Sequence, residues 1–256
     1  MRMRLSFTAA MLLIVPVTQA AELVRFVSCP VYRDARAGRK SGCWLADDPD
    51  TGIRYDVTPS PVKPDWNHAV LVEGIVADTE DDPCGGVVLE PARVSVLPEA
   101  CPRHMLPAEG YPGRPFVVPE RYIRPTFVPA PVPPGPYETT TFHVYFEFDR
   151  SFLMYQNSDY FLEQAVDWIR AAKPERIVVT GYAVTEPETI SGRVLGEEPA
   201  VARERAEKVS EALRRLGVPA EKIETRWASN PAPVDADSAD GIASASRRRV
   251  DIRAIL

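Results

Sequence analysis

Four cysteines, three histidines, a run of three arginines and a few acids are the residues of this chain whose type or spacing invites chemistry. Cys29, Cys43, Cys84 and Cys101 stand 14, 41 and 17 residues apart with no Cys-x-x-Cys pair, so the two close pairs of a zinc site are missing. An even number of cysteines in an exported chain argues instead for two disulfides. Three connectivities are open, and the local one, Cys29–Cys43 with Cys84–Cys101, is the pairing expected here. His68, His104 and His143 are far apart and match no metal spacing. Glu147 and Asp149 alternate on a strand and share one face, where a structural role outweighs paired-carboxylate catalysis. Arg247, Arg248 and Arg249 form a basic run, yet Val250 and Ile252 behind them make it the solvated side of a strand. Arg205 reads, from its own surroundings, as a surface helix residue paired with Glu198 or Glu207. No nucleophile motif, phosphate loop or metal-binding run is present. The expectation is a non-enzyme with no cofactor and no metal.

Composition narrows the setting. The 256 residues carry a formal charge of −6, which disfavours a nucleic-acid partner that works by phosphate neutralisation. Residues 1–20 join Arg2 and Arg4 to an apolar stretch from Leu5 to Val17 and a small-residue site at Ala20, the layout of a secretory signal peptide. Its removal takes the charge to −8 and leaves no apolar run of 18 or more residues to span a bilayer. Residues 22–106 hold all four cysteines and the run Ala69-Val70-Leu71-Val72-Glu73-Gly74-Ile75-Val76-Ala77. Strand candidates and turn signals such as Gly85-Gly86 fill this zone, and no helical period appears, so a small all-β domain is expected. The strand count suggests a five-stranded barrel of the oligonucleotide/oligosaccharide-binding (OB-like) type.

Residues 107–136 contain ten of the 26 prolines. Proline removes backbone donors, so this linker should be extended and hold its flanks on the order of several nanometres apart. Beyond it, in residues 137–256, helices and strands alternate. Strands are expected over 142–148, 176–181, 222–227 and 248–253, and helices over 159–172 and 199–216. In the second helix Ala202, Ala206, Val209, Leu213 and Leu216 step by 4, 3, 4 and 3, with Pro199 at the first turn and Gly217 at the stop. The order βαβαββ predicts an α+β sandwich.

This last zone resembles the OmpA-like, peptidoglycan-associating domain. Tyr145-Phe146-Glu147-Phe148-Asp149 looks like the opening strand, Ile177-Val178-Val179-Thr180-Gly181 like the strand before the family's Gly-His-Thr-Asp turn, Arg205-Ala206 like the Arg-Ala pair of the second helix, Leu216-Gly217-Val218-Pro219 with Ile223 like its exit, and Arg248-Arg249-Val250-Asp251-Ile252 like the closing strand. The resemblance implies that the turn aspartate and the helix arginine together hold meso-diaminopimelate of the cell wall, a carboxylate taking its ammonium and a guanidinium its carboxylate. Here the turn reads Gly181-Tyr182-Ala183-Val184, so the acid has become valine. Arg205 persists, the loop before the helix is about six residues longer, and Arg247 stands where the family has asparagine. The implied ligand set is Arg205, Tyr182, Glu186, Glu188, Arg248 and Arg249, with Glu186 or Glu188 swinging in for the missing acid. Two functions remain open. One is an exported envelope protein, periplasmic or outer-membrane-associated, that tethers its β domain to peptidoglycan. The other is an envelope scaffold whose OmpA-like domain has lost diaminopimelate and binds protein instead.

Overall fold

The β-branched run at 69–77 is apolar on both of its alternating faces, and in the computed structural model both faces are covered. Residues 23–34, 42–114, 131–153, 157–234 and 241–256 are described; the expected signal peptide and residues 115–130 of the proline-rich segment lie outside them. The amino-terminal strands are β1 (Leu23–Ser28), β2 (Pro30–Arg33), β3 (Cys43–Asp47), β4 (Arg54–Asp56), β5 (His68–Val76), β6 (Val87–Ala100) and β7 (His104–Leu106). They form one sheet in the order β1-β5-β6-β4-β3-β2-β7. It curls so that Val24 and Phe26, Val70 and Val72, Leu89 and Val94, and Trp44 and Tyr55 share one core. Among the described residues the edges β1 and β7 do not meet and no sheet closes, so the expected OB-like barrel is not confirmed.

The disulfides also differ from expectation. Cys29 bonds Cys101 and Cys43 bonds Cys84. Strand register is the reason. The β2–β3 pairing sets Cys43 opposite Arg33 and Ala46 opposite Pro30, which carries Cys43 away from Cys29. Cys29 follows β1, whose Ser28 faces Val70 on β5, and the end of β6 lies beside the start of that strand. The observed bridges close loops of 72 and 41 residues, worth about 4 kcal/mol each in the chain-entropy account.

The carboxyl-terminal half contains β8 (Thr140–Tyr145), α1 (Asn157–Ala172), β9 (Arg176–Ala183), β10 (Glu188–Ile190), β11 (Arg193–Leu195), α2 (Pro199–Arg215), β12 (Ile223–Ser229), α3 (Ala243–Ser246) and β13 (Arg249–Ile255). Its four-stranded sheet runs β12-β9-β13-β8, with β12 and β9 parallel. Leu162, Val166 and Ile169 of α1 and Val209 and Leu213 of α2 bury against Val144, Ile177, Val179, Val250 and Ile252. Each such side chain contributes about 1.5–3 kcal/mol on burial. Gly181 permits the close approach of α2, since a Cβ there would sit 2.0 Å from the Ala202 carbonyl oxygen. The expected βαβαββ order is present with additions, chiefly the hairpin β10–β11 and the one-turn helix α3 between β12 and β13. Ser191 and Gly192 turn the hairpin, both at positive φ, as a two-residue type I′ turn requires.

The two halves are packed together, so the proline-rich segment does not hold them apart. Val27, Ala69, Leu71, Leu97 and Cys101 of the β region share an apolar cluster with Phe148 and Ile190. Phe146 to Phe148, expected as strand, leaves the sheet after Tyr145, and the Phe148 N–H donates to Ser95 Oγ at 2.9 Å. The hairpin closes the free side of β1, where the Val27 N–H donates to Ser191 Oγ at 3.2 Å. Arg193 bonds Glu99 through Nε and Nη2 at 2.7 and 2.9 Å. That pair is half-exposed, so Arg193→Ala should cost no more than about 1 kcal/mol in equilibrium denaturation. A much larger loss would mean that the docking hangs on the hairpin tip alone.

Candidate functional site

Arg205 projects from the buried face of α2, seven residues into the helix, where Gly181 brings the helix against β9. Its side chain is fully buried, and a guanidinium has five N–H donors to satisfy. All five are used. Nε donates to Arg150 O (2.8 Å), Nη1 to Tyr182 O (2.7 Å) and Glu197 Oε2 (3.1 Å), and Nη2 to Glu147 O (2.9 Å) and Glu197 Oε1 (2.6 Å). The Glu197 carboxylate also accepts the Asp149 N–H at 2.8 Å and the Val184 N–H at 2.6 Å. This is a complete seat for a carboxylate: a two-pronged guanidinium beneath and two backbone N–H groups beside it. The chain fills that seat itself. Glu198, the residue before α2, ties the same corner down through its N–H to Asp149 Oδ1 at 2.9 Å. Neither Glu198 nor Glu207 is the partner of Arg205: its acid is Glu197, and Glu207 pairs with Arg203 on the exposed side.

The other expected site residues go to two different places. The Tyr182 ring lies under the Arg249 guanidinium, 5.0 Å from its carbon, on the sheet face turned away from α2. Arg249 is also held by Asp251 at 2.7 Å and by the carbonyls of Ala232 and Ser246. Burial pushes the Tyr182 hydroxyl above its usual range, reinforced by Asp251 and opposed by Arg249. Glu186, Glu188 and Arg248 instead line a cleft at the seam between the halves, together with Arg25, Phe148, Val184 and Arg247. The cleft is small, about 30 Å³, and its charged walls are already engaged with one another. Glu188 is taken by Arg25 of β1. The lengthened loop, expected to supply a replacement acid, is the hairpin that grips the β region.

Arg248 is not a solvated arginine. It is buried and paired through both terminal nitrogens with Glu73 of β5, which also accepts from Arg25 Nε at 3.0 Å. Burial alone would raise the Glu73 carboxyl, but the charge and hydrogen bonds of Arg248, with the Arg25 charge, outweigh it and hold the group at about 2. Among the described residues no group of three or more His, Cys, Asp or Glu side chains is placed to hold a metal, and no helix is long and apolar enough to cross a membrane.

Sequence reasoning missed Glu197. Its one signal is position, two residues before the Pro199 that starts α2 and eight before Arg205. Against known proteins, residues 145–248 match the OmpA family. Similar solved structures include the OmpA-like domain of FopA1 from Francisella tularensis (20% identity over 45% of this chain and 71% of that one, TM-score 0.35). Two others are the peptidoglycan-associated lipoprotein from Burkholderia pseudomallei (24%, 44% and 88%, 0.33) and the cell wall anchor of the T6SS from Pseudomonas aeruginosa (20%, 46% and 82%, 0.35). No curated protein matches the chain. The family match makes residues 145–248 a divergent OmpA-like domain.

Proposed function

We propose that this protein is an exported, non-enzymatic component of the cell envelope whose OmpA-like domain works as a docking scaffold rather than as a diaminopimelate receptor. The observation that carries this reading is the saturation of Arg205: five N–H donors, five internal acceptors, and no exposure to solvent. A wall peptide would have to expel the Glu197 carboxylate, and its ammonium would then face the side chain of Val184, which accepts no hydrogen bond. Two losses of that kind cost several kcal/mol of gross binding energy. The face that remains in use is the one gripping the β region, and the free surfaces of both halves are left for an envelope partner. The leader-like residues 1–20 and the two disulfides support export.

The test is retention of the chain lacking residues 1–20 on purified sacculi, with free meso-diaminopimelate as competitor. The expected result is no retention that diaminopimelate competes away. Competable retention would sink the scaffold reading and restore the wall tether, with Glu197 as a displaceable gate.

A further inference from the structure

We infer that β12 is a self-association edge, through which two copies of this chain join their four-stranded sheets about a twofold axis. This goes beyond the scaffold reading and does not depend on it. β12 is the outer strand of its sheet, and among the described residues no strand pairs with its outward side. Such an edge presents a row of unpaired backbone donors and acceptors. From Arg226 to Ser229 it is exposed, including Trp227 at 54%.

The side chains choose the occupant. Thr225 and Trp227 lie on the α2 face, where Thr225 meets Ser210 at 2.9 Å and the Arg203 guanidinium sits over the Trp227 ring at 5.6 Å. Glu224 and Arg226 share the other face, with Arg226 Nε on Glu224 Oε1 at 2.6 Å. A twofold axis normal to the sheet must set one residue opposite its own copy, since only then do paired side chains point the same way. Centred on Glu224 it would oppose two acids, and centred on Arg226 two arginines, both unfavourable. Centred on Thr225 it sets Glu224 opposite the partner's Arg226 and Arg226 opposite the partner's Glu224, while Ile223 meets the partner's Trp227. Every opposed pair is then complementary. An exposed ion pair worth little within one chain becomes half of an alternating four-charge cluster.

Sedimentation of the chain lacking residues 1–20 across a wide concentration range tests this with Glu224→Arg, Arg226→Glu and the double reversal. The wild type should associate to a dimer, each single reversal should weaken association about tenfold or more, and the double reversal should restore it. Thr225→Cys should give a disulfide-linked dimer, because opposed residues bring their Cα atoms about 4.5–5.5 Å apart. Ala228→Cys, far from its own copy in this register, should not. A wild type that stays monomeric, a dimer indifferent to the single reversals, or a double reversal that fails to recover would each overturn the proposal.

Discussion

Glu197→Ala should lose about 3–5 kcal/mol of folding stability, and formate or acetate should return part of it. The substitution leaves a fully buried guanidinium with two of its five bonds gone, and it orphans the Asp149 and Val184 N–H groups as well. A small carboxylate fits the vacated space and its four donors. Rescue should therefore saturate with concentration and raise the melting temperature as binding to the folded state requires, whereas chloride should do much less. Free diaminopimelate should do no better than acetate, because Val184 offers its ammonium nothing. Thermal unfolding with each additive reads all three outcomes. A variant as stable as the wild type, or one indifferent to carboxylates, would show that Glu197 does not occupy a carboxylate seat.

The second large effect belongs to Glu73 and Arg248. Removing either partner alone should cost about 3–5 kcal/mol, because the other charge stays buried at the seam. Replacing both by apolar residues of similar size, Glu73→Leu with Arg248→Met, should recover most of that loss, since desolvation of the two charges is removed along with their attraction. The pair also sets an acid response. The Glu73 carboxyl falls from 4.5 in a free chain to about 2 when folded, a difference of about 3 kcal/mol at 1.36 kcal/mol per unit. A depressed carboxylate contributes fully above its unfolded pKa and loses its contribution as pH falls through the folded one. Docking stability should therefore hold above about pH 4.5 and drain away between there and about pH 2. Glu73→Gln should lack that part of the acid response. Denaturant melts at stepped pH, with limited proteolysis at the seam, separate loss of docking from loss of fold.

Much of the OmpA-like fold was legible because its signals are local. The 4-3-4-3 stepping of Ala202 to Leu216, Pro199 and Gly217 marks α2 within a residue, and the order of strands and helices follows the hydrophobic period. The Ser191-Gly192 turn is also a local signal, and the hairpin it makes could have been read from it. The absence of helix among the described residues of 22–106 was local too, but whether that sheet closes was not, because closure depends on which edges meet.

The tertiary structure alone decided the rest. Cysteine spacing says nothing of register, and register put Cys43 with Cys84. Glu73 and Arg248 look in sequence like ordinary strand charges, and only the meeting of two distant segments buries them together. The run Ala69-Val70-Leu71-Val72 held the one hint of that meeting: apolar residues on both faces of a strand require cover on both sides, and the OmpA-like half supplies the second. Arg205 carries the same lesson for function. The resemblance of Arg205-Ala206 to the family's Arg-Ala pair implies a carboxylate seat, but whether that seat is open depends on where Glu197 lands, and that is set by packing between α2, β9 and the segment after β8.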